Sequence, residues 1–242
     1  MLIQIMTNFI NDLYDYKKGA DKHRIGPDRM IQKGYLSEKE IINAIYLVLL
    51  ISILIGIYLA LVGGIIIVTI GLSSFLFAYL YTATQFSIAY NGLGEIFVFI
   101  YFGLIAALGT YYLQILEYNH ATLLIGIICG SLNVCLLIIN NLRDVYSDQS
   151  SQKNTLIAKH GKLFGYYEFS FFIILTYIGL YYFTALINNK LLFFYTLLLI
   201  IFPIFILFSS IKYTDFLNKK ALPLMSAYIT LLTLLLTFKI IK

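Results

Sequence analysis

HATLLIGIICGSLNVCLLIINNLRDVYSD, residues 120–148, begins as a membrane span and ends as an acidic motif. Residues 120–140 supply the run of about 20 mostly apolar positions that a helix needs to cross a bilayer. Asn140, Asp144 and Asp148 then follow at i, i+4 and i+8, which a helix places on one face. Further apolar runs lie at 41–61, 64–84, 94–114, 164–186, 191–211 and 221–240. The expected fold class is therefore an all-α polytopic membrane protein. It would be a transmembrane helix bundle of seven full helices plus a partial N-terminal one, forming a single domain over residues 1–242. The opening run, Leu2 to Ile10, is too short to span alone and reads as the end of a helix whose start is missing.

Composition excludes the soluble classes. The chain is 60% hydrophobic and 12% charged, against about 25% charged residues in an average soluble domain. Its net charge of +5 is carried by basic residues in the loops, with no nucleic-acid-binding module around them. Nucleic acid is accordingly not an expected partner; the lipid bilayer is. Fourteen Lys and Arg fall on one side of the predicted spans and three, Lys190, Lys239 and Lys242, on the other. The positive-inside rule then puts residues 140–148 at the cytoplasmic face of the membrane. Cys129 and Cys135 share one apolar run, so burial as small apolar side chains is expected rather than a disulfide.

A second acidic stretch, NFINDLYDYKKGAD (8–21), falls on the same side by this count. Asn8, Asp12 and Asp15 sit at i, i+4 and i+7, again one helical face. One aspartate at a helix border is ordinarily a cap or a lysine's partner. Two sets at matched spacing are different, because converging carboxylates repel unless a cation joins them. Mg²⁺ favours oxygen ligands and typically takes one or two carboxylates together with substrate phosphates. Asp12, Asp15, Asp144 and Asp148 are therefore the expected metal-binding and catalytic carboxylates. Arg24, Arg29, Arg143 and Lys153 lie close enough in sequence to answer the remaining phosphate charge.

NDLYDYKKGAD (11–21) and NNLRDVYSDQSSQKNTL (140–156) resemble the aspartate motifs of the UbiA superfamily of intramembrane prenyltransferases. RIGPDRMIQKGYLS (24–37), GLGEIFVFIYFGLIAALGTYYLQ (92–114) and the NNLRD form are similar to its MenA type, the 1,4-dihydroxy-2-naphthoate polyprenyltransferases. The resemblance implies a nine-helix bundle open laterally to lipid, of which this chain would lack the first helix and a half. It implies a Mg²⁺-dependent transfer of a polyprenyl chain from polyprenyl diphosphate to 1,4-dihydroxy-2-naphthoate with loss of CO₂, giving demethylmenaquinone in menaquinone biosynthesis. Diphosphate binding would fall to Asn8, Asn11, Asp21, Arg24, Arg29, Asn140, Arg143 and Lys153. Tyr79, Tyr81, Tyr111 and Tyr112 are candidates to line the substrate pocket, where aromatic faces stabilise an allylic cation.

The chain departs from the family's usual residues at Gln85 (often Pro), Gln152 (commonly Gly) and Asn154 (frequently basic). Glu95, at the start of a helix, is expected to favour the macrodipole there, and Glu168 to be interfacial or to orient a loop cation. Three other readings compete: a prenyltransferase of the same superfamily with another aromatic or lipid acceptor, a membrane transporter, and a non-catalytic prenyl-lipid-binding fragment. Acids clustered at one face argue against a transporter, whose sites usually lie at the midplane.

Overall fold

The computed structural model describes residues 1–20, 26 and 28–240, with side chains to 237. Every predicted apolar run is helical over most of its length, and no strand occurs among the described residues. The helices are α1 (Leu2–Lys18), α2 (Glu38–Leu80), α3 (Gly94–Ile115), α4 (His120–Ser150), α5 (Leu156–His160), α6 (Lys162–Leu186), α7 (Lys190–Lys212), α8 (Thr214–Lys219) and α9 (Ala221–Ile240). Among the described residues α2, α3, α4, α6 and α7 are long and apolar enough to cross a membrane. The protein is an integral membrane protein.

The runs at 41–61 and 64–84 are two arms of α2, broken at Gly64, whose φ of 62° and ψ of −152° leave the helical region. α2 starts on a capping box: the Ser37 hydroxyl accepts from the Glu40 N–H, and the Glu40 carboxylate accepts from the Ser37 N–H. α7 is interrupted at Leu199–Ile200, and its second segment carries Pro203 in the first turn, where a missing N–H costs least.

Two compact units are built from these helices. The first comprises Met1–Gly94, Gly109–Glu117 and Asp144–Lys159. In it, Met6, Ile10 and Leu13 recur at helical spacing on α1 and are buried. Met6 and Ile10 pack with Ala78 of α2, and Leu13 with Ile31 and Ile41. This packing brings the polar end of α1 down beside the segments that flank α2.

The second unit comprises Glu95–Leu108, Tyr118–Arg143 and His160–Lys242. Its core includes Val134, Cys135 and Ile138 of α4, Leu180 of α6, Leu192 and Ile206 of α7, and Tyr228 of α9. Cys135 is a free buried thiol, as an apolar run predicts, and Cys129 is free and half-buried. α3 takes a π-helical turn over Ile100–Ile105. There Gly103 meets α4 so closely that an added Cβ would lie 2.5 Å from the Gly130 Cα and 2.6 Å from the Gly126 carbonyl oxygen. The two backbones touch at a point no larger residue could occupy.

Candidate functional site

Both acidic motifs occupy the last turns of a helix, and both helices end the same way. At the end of α1, Gly19 takes a left-handed φ of 73°. Its N–H donates to the Tyr16 carbonyl at 3.0 Å, and the Ala20 N–H donates to the Asp15 carbonyl at 2.9 Å. At the end of α4, Gln152 takes φ 57°. Its N–H donates to the Gln149 carbonyl at 3.3 Å, and the Lys153 N–H donates to the Asp148 carbonyl at 2.8 Å. Each pair of bonds is a Schellman cap. Asp15 and Asp148 hold the same place in it, with Asp12 and Asp144 one turn earlier. A carboxylate there opposes the helix macrodipole by about 0.3–1 kcal/mol, so both ends call for cations.

The carboxylates are withdrawn from solvent. Asp12 is 6% exposed, Asp15 3% and Asp148 5%, while Asp144 is half-buried. The Met30 N–H donates to Asp12 Oδ2 at 3.0 Å. Asp12 Oδ1 is buried and has no hydrogen-bond partner among the described residues. Leaving such an oxygen unmet costs about 1–3 kcal/mol or more, and a bound cation removes that cost. Asp15 accepts from the Tyr90 hydroxyl at 2.8 Å and faces the Arg29 guanidinium at 3.5 Å. Asp148 faces the Lys153 ammonium at 3.8 Å.

Tyr90 joins the two helix ends. It lies in the segment between α2 and α3, and sequence reasoning did not single it out. Its hydroxyl reaches Asp15. Its carbonyl accepts the Asn154 N–H at 3.1 Å, just beyond the α4 cap. Its ring carries the Lys18 ammonium 4.2 Å from the centroid and the Lys153 ammonium at 5.5 Å. Lys18, also overlooked, ties the same segment to α1 by donating to the carbonyls of Thr82 (2.6 Å) and Thr84 (3.0 Å) and to the Ser87 hydroxyl (3.2 Å). Burial holds the Lys18 ammonium below the ordinary lysine range, Asp15 pulls it back up and Lys153 presses it down.

The other predicted residues are distributed as follows. Asn11 accepts from the Thr82 hydroxyl. Asn8 is exposed, although it shares its helical spacing with buried Asp12 and Asp15. Asn140 donates its amide back to the Leu136 carbonyl at 3.1 Å. Arg143 is buried. Asp21 and Arg24 lie outside the described residues. Tyr79 is partly exposed and packs edge-on against Tyr14, with centroids 6.3 Å apart. Tyr81, Tyr111 and Tyr112 are half-buried in the same unit.

The second unit holds a separate polar cluster. Glu95 is buried and accepts from the Asn141 amide at 3.0 Å. This contact ties α3 to α4 and gives Glu95 a role beyond the start of its own helix. Glu168 Oε2 is buried without a hydrogen-bond partner among the described residues.

Among the described residues no three His, Cys, Asp or Glu side chains form a ready-made metal cluster. A Mg²⁺ site completed by phosphate oxygens does not require one. The donor set is all oxygen, one buried carboxylate oxygen is unmet, and cations flank the acids, so the residues fit Mg²⁺ held together with a diphosphate.

The fold and this site define a helical membrane protein that carries paired aspartate motifs at the ends of its helices. Within that class the chain belongs to the UbiA prenyltransferase family, whose sequence profile matches residues 1–236. It is 35% identical over 157 residues to the 1,4-dihydroxy-2-naphthoate octaprenyltransferase of Mycobacterium leprae, covering 65% of this chain and 53% of that protein. It is 37% identical over 171 residues to the enzyme of the same name from Escherichia coli, covering 67% and 55%. The Haemophilus influenzae protein of that name is 38% identical over 168 residues, covering 66% and 54%. The chain thus spans about half the length of the curated relatives it matches. No solved structure matches it.

Proposed function

We propose that this chain carries the diphosphate-binding half of a prenyltransferase reaction. In it a polyprenyl group passes from polyprenyl diphosphate to 1,4-dihydroxy-2-naphthoate, giving demethylmenaquinone as the quinol. The observation that carries the reading is the joining of the two capped acidic helix ends through Tyr90. The acceptor rests on the names of the relatives.

Asp12, Asp15, Asp144 and Asp148 would hold Mg²⁺, which when bound offsets the charge that gathers on the leaving diphosphate. Lys18, Arg29 and Lys153 add cationic donors for the phosphate oxygens. As the bond between the allylic carbon and oxygen breaks, its electron pair leaves with the diphosphate. The electron-rich ring carbon bearing the carboxylate attacks the allylic cation. Loss of CO₂ returns its electron pair to the ring and restores aromaticity. The apolar helices keep water from the cation. The loop charges favour a cytoplasmic site.

The test is to incubate membranes containing the chain with labelled polyprenyl diphosphate and a panel of aromatic acceptors, with and without chelator. Product with dihydroxynaphthoate, abolished by chelator, is the expected result. Product with 4-hydroxybenzoate alone overturns the acceptor, and undiminished product in chelator overturns the metal.

A further inference from the structure

We propose that Tyr90 is a positioning residue of this site: its hydroxyl sets Asp15 for a divalent cation, and its ring spaces Lys18 and Lys153 for the diphosphate. The inference rests on the prenyl-diphosphate reading above and assigns a mechanism to a residue outside both aspartate motifs.

Four contacts converge on this one side chain and its backbone. The hydroxyl donates to Asp15 Oδ1, leaving the other oxygen, Oδ2, toward Arg29. A carboxylate oriented this way presents a defined lone pair, and removing the outer partner of a metal ligand costs about 10–100-fold in metal affinity. The ring holds two ammonium groups, at 4.2 Å and 5.5 Å from its centroid. Two like charges are kept close only where something negative offsets them. Here the ring face does so in part, with Asp15 and Asp148 supplying the rest. The backbone carbonyl fixes the ring to the α4 end through Asn154. The hydroxyl and the ring therefore act on different ligands, and different substitutions separate them.

The experiment measures the thermal stability of the purified 242-residue chain in detergent. Mg²⁺ is titrated at fixed inorganic pyrophosphate, and pyrophosphate at fixed Mg²⁺. Tyr90→Phe keeps the ring and loses the hydroxyl. It is expected to raise the Mg²⁺ half-point about tenfold and to leave the pyrophosphate half-point within about twofold, because the cation–π contacts remain. Tyr90→Leu is expected to raise both, the pyrophosphate half-point by about fivefold. A purely structural tyrosine would lower the melting temperature and leave the half-points alone. Tyr90→Phe titrating with Mg²⁺ as the wild type does, whatever its melting temperature, overturns the proposal. A wild-type chain that does not respond to Mg²⁺ and pyrophosphate instead overturns the prenyl-diphosphate reading on which the proposal rests.

Discussion

The ends of α1 and α4 are built alike and completed differently. Each carries aspartates one turn apart before a left-handed cap. At α1 the cap is Gly19, which pays no steric cost at positive φ, and Asp15 takes its partners from afar, from Arg29 and Tyr90. At α4 the cap is Gln152, and the cap itself delivers one partner of Asp148, Lys153. The second motif thus draws a cation from the residue next to its own cap, whereas the first draws Arg29 and Tyr90 from other segments. The substitution of Gln for the family's common Gly falls at the very residue that must take φ 57°.

The largest effect expected is on chemistry. Asp12→Ala and Asp144→Ala should each lower transfer by about 100- to 1,000-fold, measured as labelled product per inserted protein in membranes. Near-normal turnover in one of the two would break the equivalence of the helix ends. A smaller effect separates their partners. Arg29→Met and Lys153→Met should each lower kcat/KM for polyprenyl diphosphate about tenfold. Arg29→Lys should rescue only part of this, because a guanidinium fork is not replaced by a point charge. Full rescue would make the α1 end as undemanding as the α4 end.

The smallest effects test the caps. Gly19→Ala should destabilise the chain by about 1 kcal/mol, and Gln152→Gly should stabilise it by about the same amount. For a chain of this length that is about 2–4 °C in melting temperature. Responses of the same sign at the two positions would mean that the left-handed strain is not where the backbone places it.

The helices and the acid spacing were legible in the sequence. Span length and the i, i+4 pattern are properties of neighbouring residues, and the run at 120–140 leading into Asp144 and Asp148 needs no distant partner. Gln152 also left a trace, as a departure from Gly, although its meaning as a cap emerged only from its φ and the bond from the Lys153 N–H. Asn8 shares the helical spacing of Asp12 and Asp15 yet is exposed, because shared spacing does not say which part of a face is covered. Glu95 was placed at a helix start, but its Asn141 partner lies 46 positions away.

By itself, then, the sequence determined a helical membrane protein with two acidic helix ends, because hydrophobicity and helical periodicity act over a few residues. Tertiary structure alone decided what surrounds those acids. The Met30 N–H reaches Asp12 across 18 positions, the Thr82 hydroxyl reaches Asn11 across 71, and the Tyr90 hydroxyl reaches Asp15 across 75. A tyrosine's amphipathic side chain suits a membrane interface, a packed core or a hydrogen-bonded carboxylate equally well. Only the docking of α1 against α2, driven by burial of Met6 and Ile10, brings Asp15 within reach of Tyr90 and makes the third use real.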